Sequence, residues 1–191
     1  LGVGEPDFTT PWNIREAGTF SLEQGHTAYT SNLGMLPLRK EICKYVRTYY
    51  DVDYNYNNEC IVTIGVSEAL DIAMRALLNP GDEVIYTTPC FVSYPAEIVM
   101  AHGVPVPVAT YEKDNFALTP ESLKNVITPK SKVLLLNFPC NPTGAVMGLD
   151  NLKAVAEIAI ANDLVVISDE IYSELIYEDR HISIASLPGM A

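Results

Sequence analysis

The chain has 191 residues, 48% of them apolar, and carries 12 Lys and Arg against 24 Asp and Glu for a net charge of −12. That length suits one domain, or one domain with a piece of another, and supplies enough apolar material for a core. The acidic balance argues against nucleic acid and anionic membrane as partners, because phosphate binding runs on Lys and Arg, and no apolar run approaches the ~18 residues of a membrane span.

Residues 1–35 are the least regular, with Gly, Pro and Thr scattered through them, and are read as an N-terminal arm or crossing segment. No basic-then-apolar signal segment opens the chain. It begins at Leu1 and not at Met, in what reads as an ongoing strand or loop, so the expectation is that the protein's own N-terminus lies upstream. From residue 36 onward, short β-rich runs alternate with helical patterns. Leu38, Ile42, Tyr45, Val46 and Tyr49 recur at helical spacing, as do Leu70, Ala73, Met74 and Leu77, and again Leu152, Val155, Ala156 and Ala159. The expected strands are Cys60–Gly65, Glu83–Pro89, Val104–Ala109, Val133–Pro139 and Leu164–Glu170. Three of these are nearly continuous apolar runs, as expected of strands covered on both faces. Asn79-Pro80-Gly81-Asp82 stops a helix and Thr119-Pro120-Glu121 starts one.

The alternation predicts an α/β domain over 36–191, a mostly parallel sheet with helices on both faces. About five strands are expected, and the architecture looks incomplete because the chain stops soon after the last of them. Four cysteines, Cys43, Cys60, Cys90 and Cys140, are scattered with no C-x-x-C pair and no histidine at zinc spacing. They read as reduced thiols in the core or near a site of a cytoplasmic protein; disulfides are the competing reading. No metal is expected.

A doubly wound sheet binds its ligand beyond the carboxyl ends of its strands, and the chemically suggestive clusters all fall there. In Thr63-Ile64-Gly65-Val66-Ser67-Glu68-Ala69 a strand is expected to end at Gly65 and a helix to begin near Ser67. The free N–H groups and dipole of such a helix start suit an anion, although an ordinary serine cap is the plainer reading of Ser67. Asn137-Phe138-Pro139-Cys140-Asn141-Pro142-Thr143-Gly144 reads as a turn, or as a turn that aims the Asn141 amide at a ligand. In Val165-Val166-Ile167-Ser168-Asp169-Glu170-Ile171-Tyr172, Asp169 and Tyr172 follow an apolar run. A carboxylate there needs a partner; a metal would need more oxygens, and a protonated ring nitrogen would suffice. In Thr88-Pro89-Cys90-Phe91-Val92-Ser93-Tyr94, Phe91 or Tyr94 could offer a flat face to a ring, with core packing the preferred reading of Tyr94.

In this order the clusters resemble the class I/II pyridoxal-phosphate (PLP) aminotransferases of the aspartate-aminotransferase-like fold. The likeness runs from Gly2-Val3-Gly4-Glu5-Pro6-Asp7-Phe8 and Tyr29-Thr30-Ser31-Asn32-Leu33-Gly34, through Leu38-Arg39, Gly65–Ala69 and Asn79–Val84, to Asn141-Pro142-Thr143-Gly144 and Ser168-Asp169-Glu170-Ile171-Tyr172. The resemblance implies transfer of an amino group from an amino acid to a 2-oxo acid, in a homodimer. It implies that Asp169 pairs with the cofactor's pyridinium nitrogen, that Asn141 and Tyr172 hydrogen-bond its phenolic oxygen, and that Phe91 stacks on its ring. Val66 and Ser67 would contact the phosphate, Tyr29 would reach the phosphate of the neighbouring subunit, and Gly4 would lie close to the substrate carboxylate. The family's Schiff-base lysine and its carboxylate-binding arginine match nothing here: Lys40, Lys44, Lys113, Lys124, Lys130, Lys132 and Lys153 all fall outside the expected motif. The chain as given is therefore expected to be inactive. The alternatives are another PLP chemistry such as a C–S β-lyase or a decarboxylase, a PLP-sensing regulator domain, and a plain nucleotide-binding module, which the lack of a glycine-rich fingerprint disfavours.

Overall fold

The computed structural model describes residues 8–178 and 180–191. Among the described residues four strands form one sheet: β1 (Glu83–Thr88), β2 (Val104–Ala109), β3 (Ser131–Asn137) and β4 (Val165–Asp169). Their order is β2-β1-β3-β4 and every neighbouring pair is parallel. The described residues also form the α-helices α1 (Trp12–Glu23), α2 (Leu36–Tyr50), α3 (Gly65–Leu77), α4 (Tyr94–Met100), α5 (Pro120–Lys124) and α6 (Leu149–Ala161).

The central strands β1 and β3 are buried nearly throughout because helices cover both faces of the sheet there, while the edge strands β2 and β4 are partly exposed. Successive strand residues point to opposite faces. Val84, Tyr86, Val133 and Leu135 pack with Leu70 and Met74 of α3 and with Tyr94 and Ile98 of α4. Ile85, Leu134 and Leu136 pack on the other face with Leu123 of α5 and with Leu152, Val155, Ala156 and Ala159 of α6. Val133, Leu134, Leu135 and Leu136 are each at most 1% exposed, so truncating either central leucine to alanine leaves a void costing about 2–5 kcal/mol.

The punctuation residues act where the sequence puts them. The Thr119 hydroxyl accepts from the Ser122 N–H at 3.2 Å and caps α5. Beyond α3, the Asp82 carboxylate accepts from the Asn79 N–H at 2.8 Å, and Gly81 takes the positive φ of 93° that closes this turn. Arg39 of α2 is buried and donates to the carbonyls of Gly34, Tyr56 and Asn57, which ties two turns to that helix.

Three expectations need correction. Residues Cys60–Gly65 are not a strand: a strand is defined by its ladder, and among the described residues no neighbour pairs with this segment. The sheet accordingly has four strands and not about five. Residues 12–23, expected to be irregular, form α1; no residue of this helix is buried, so the packing stripe that would have marked it in the sequence has no counterpart in the core.

Candidate active site

All four strands run in one direction, so their carboxyl ends lie along one edge of the sheet. Three of those ends carry the clusters singled out above: Thr88 leads into Phe91 and Tyr94, Asn137 into Asn141, and Asp169 into Tyr172. A cleft of about 260 Å³ opens there, lined by Ile64, Gly65, Val66, Ser67, Phe91, Tyr94, Asn137, Asn141, Asp169, Ile171 and Tyr172. Val66, Ser67, Phe91, Asn141, Asp169 and Tyr172 thus share one space. Tyr29 is fully exposed and lines none of this cleft. Gly4 lies outside the described residues.

The helix start is one residue pair earlier than expected. Gly65 is the first residue of α3 and has a φ of 75°, a conformation available cheaply to glycine alone. Ser67 is therefore inside the first turn and is not the cap; no side chain caps this helix. The first-turn N–H groups of Gly65, Val66 and Ser67 have no intrahelical acceptor and meet the cleft with the positive end of a 13-residue helix. The Ser67 hydroxyl is exposed and makes no hydrogen bond among the described residues. Glu68, next after Ser67 in the same first turn, accepts from the Ile64 N–H and fixes the entry into the helix.

Asp169 is 8% exposed and ends β4 on the face of α3 and α4, because Ile167, two residues earlier, packs there too. Its carboxylate accepts from the Tyr94 hydroxyl at 2.7 Å and from the Ile171 N–H at 3.2 Å. The sequence pointed to Tyr94 as core packing. Its ring is core, at 2% exposure, but its hydroxyl reaches the site carboxylate. Burial, and then the hydrogen bond to Asp169, push the Tyr94 phenol well above its usual range, so it stays a donor. Phe91 stands edge-on to Tyr94, ring centroids 5.8 Å apart, and is 36% exposed toward the cleft.

Asn137 opens the second cluster, but nothing in the sequence assigned it a role of its own. Its amide donates to the Asp169 carbonyl at 3.0 Å, and its side-chain oxygen accepts from the Asn141 N–H at 2.9 Å. A polar residue closing an apolar strand was its only signal. The turn beyond it is shut by Gly144 N–H to Cys140 O at 2.7 Å and Cys140 N–H to Ala145 O at 2.9 Å. The side chains of Asn141 and Tyr172 make no hydrogen bonds among the described residues, which leaves their polar atoms available in the cleft.

A second cleft, of about 620 Å³, joins the first at Asn141 and Tyr172 and is walled mostly by Pro139, Pro142, Val146, Leu175 and Ile176. On the opposite face of the sheet the loop after Tyr172 is pinned by Glu170. His181 Nε2 lies 2.9 Å from its carboxylate, and the hydroxyls of Ser168 and Ser183 donate to it at 2.9 and 2.8 Å. The four cysteines are free thiols; burial, then the neighbouring Cys140, push the Cys90 thiol up. Among the described residues there is no cluster of three His, Cys, Asp or Glu suited to a metal ion, and no helix long and apolar enough to cross a membrane.

The sequence profile of the family "Aminotransferase class I and II" matches residues 1–190. The chain belongs to this family. The class I and II aminotransferase relatives include the Bacillus subtilis protein YugH, 50% identical over all of this chain and 49% of its own length. An aspartate aminotransferase of Pyrococcus abyssi is 43% identical, again over all of this chain and 49% of its own. The aromatic aminotransferase of Pyrococcus horikoshii superposes with a TM-score of 0.97 at 43% identity, covering 99% of this chain and 51% of that one. The chain therefore spans about half the length of the relatives it matches, and its sheet is part of the aminotransferase large domain.

Proposed function

We propose that the protein to which this chain belongs is a PLP-dependent transaminase, moving an amino group from an amino acid to a 2-oxo acid, and that this chain supplies the contacts for the cofactor's ring and phosphate. One observation carries the reading: an uncapped helix start, an aromatic face, a hydrogen-bonded buried carboxylate and two unengaged polar side chains converge on one cleft.

The donor set fits PLP at each part of that molecule. The N–H groups of Gly65, Val66 and Ser67 suit a phosphate. Phe91 offers its face to the ring. Asp169, charged and nearly buried, suits a protonated ring nitrogen, and Asn141 and Tyr172 suit the phenolic oxygen. When bound, the cofactor supplies an electron sink for the pair left at the substrate α-carbon as its proton departs. The chain's own part is to hold that sink in place: Asp169 keeps the nitrogen's charge paired, and Asn141 and Tyr172 fix the ring's opposite edge.

No lysine lines the cleft among the described residues. We assign the Schiff-base lysine and the carboxylate-binding arginine to other parts of the full-length protein, and on that reading the 191-residue chain by itself does not turn over. We further propose a cytoplasmic homodimer. Unpaired cysteines support the reducing compartment, and the full exposure of Tyr29 supports a contact with a neighbouring copy.

The test is a nitrogen-transfer assay on the purified full-length protein. A ¹⁵N-labelled donor, aspartate or an aromatic amino acid, is mixed with an unlabelled 2-oxo acid. Labelled product amino acid in equal amount to the new 2-oxo acid supports transamination. Release of free ammonia or sulfide without transfer to any acceptor would assign the protein to the lyases.

A further inference from the structure

Asp169 accepts one hydrogen bond on each of its two carboxylate oxygens. Oδ1 accepts from the Ile171 N–H at 3.2 Å, which is local to the same loop. Oδ2 accepts from the Tyr94 hydroxyl at 2.7 Å, from a residue 75 positions away on another element. The first bond alone leaves the carboxylate free to turn about its terminal torsion, which is broad and soft. The second locks it to a ring that cannot move. Tyr94 opens α4, is 2% exposed and is packed among Leu70, Met74, Tyr86 and Ile98. Its edge also meets the Phe91 ring, 5.8 Å away at 73°. One rigid phenol thus touches both groups that flank the cleft, the aromatic face and the carboxylate.

We propose that Tyr94 is a positioning residue, whose hydroxyl fixes the orientation of the Asp169 carboxylate and thereby sets how well that carboxylate pairs with a cationic ring nitrogen. The proposal rests on the reading of Asp169 given above. It differs from plain core packing in what it requires of the hydroxyl: packing needs only the ring, whereas positioning needs the O–H. A neutral donor on an ionised acceptor is also among the stronger hydrogen bonds, so its loss is felt at the carboxylate more than at the fold.

The experiment uses the full-length protein and pyridoxamine 5′-phosphate, which binds without a covalent link, so that affinity reports the site contacts alone. Four proteins are compared by fluorescence titration and by the melting temperature of the apo form: wild type, Tyr94→Phe, Asp169→Ala and the double variant. Tyr94→Phe is expected to weaken binding roughly tenfold, with a melting temperature within a few degrees of wild type, and to add nothing further in the Asp169→Ala background. Should Tyr94→Phe fold poorly, Tyr94→His, which keeps a ring N–H donor, serves in its place and is expected to bind more tightly than Tyr94→Leu. Weak binding by Asp169→Ala beside unchanged binding by Tyr94→Phe would overturn the positioning role and leave the reading of Asp169 intact. A Tyr94→Phe effect that persists undiminished without Asp169 would overturn it as well. Unchanged binding in both single variants would remove the Asp169 assignment and the positioning role together.

Discussion

Asn137 donates its side-chain amide to the backbone carbonyl of Asp169 at 3.0 Å, and these two residues face each other as the last registered pair of β3 and β4. The same side chain accepts from the Asn141 N–H at 2.9 Å. One buried amide therefore sets the spacing between the two loops that bring Asn141 and Asp169 to the cleft. Replacing Asn137 with alanine removes both bonds and leaves a buried carbonyl and N–H to find other partners. The expected cost is about 2 kcal/mol or more in stability, read by denaturant unfolding, together with weaker pyridoxamine phosphate binding. Wild-type stability in that variant would mean the two loops are held by other contacts.

Asp169→Asn in the full-length protein is expected to impair turnover far more than folding. A neutral amide cannot pair with a charged ring nitrogen, and a lost preorganised electrostatic partner typically costs about a hundred- to a thousandfold in kcat. Steady-state kinetics beside a thermal melt measure the two effects separately. Turnover near wild type would exclude the pairing role.

Glu97 of α4 is 7% exposed, and its Oε2 has no hydrogen-bond partner among the described residues. Burial, partly offset by the nearby Ser93 side chain and then helped by the negative charges of Asp71 and Asp169, raises its carboxyl above the ordinary 4.5. The folded chain then holds this proton more tightly than the unfolded chain, so the residue's contribution to stability falls as pH rises above about 4.5. Glu97→Gln is expected to stabilise the protein at neutral pH, with the gain shrinking as pH falls toward about 4. Urea melts across that range check it, and a gain of equal size at both ends would contradict the burial argument.

Glu170 has the opposite sign. Burial pushes its carboxyl up, but hydrogen bonding and charge from His181, with donation from Ser183 and Ser168, outweigh burial and hold it below 4.5. Its contribution is fully present above that value and is lost as pH falls through the lower folded one. Glu170→Gln is therefore expected to destabilise the protein at neutral pH, and the difference from wild type should narrow in acid. The loop it anchors carries Tyr172, so the variant should also bind pyridoxamine phosphate less tightly.

What the sequence made legible follows from how local each signal is. The central strand β3 was readable because a strand covered on both faces is apolar at nearly every position, as Val133–Leu136 is; β2 and β4 lie at the sheet edges, partly exposed, and were read from β-rich composition between turn residues. Asp169 was readable because a polar residue closing an apolar run lands at a strand end, and Asn141 and Phe91 because they follow within a few residues of such ends in motifs that resemble the family's. Tyr94 was readable only in half, since its spacing reveals a buried ring but not a hydroxyl partner 75 residues away. Asn137 was hidden for the same reason: its two bonds reach across the β3 and β4 ends. The segment Cys60–Gly65 has strand-like composition, yet pairing is a property of two segments and cannot be read from one.

On the proposed function, the cleft at the ends of β1, β3 and β4 holds the cofactor through Asp169 and the start of α3. A crystal structure of the full-length protein with pyridoxamine 5′-phosphate tests it most directly. The ring nitrogen is expected within about 2.7–3.0 Å of the Asp169 carboxylate, the ring against Phe91, and the phosphate on the N–H groups of Gly65, Val66 and Ser67. A cofactor seated instead along Pro142, Leu175 and Ile176, or one whose ring nitrogen faces away from Asp169, would contradict it.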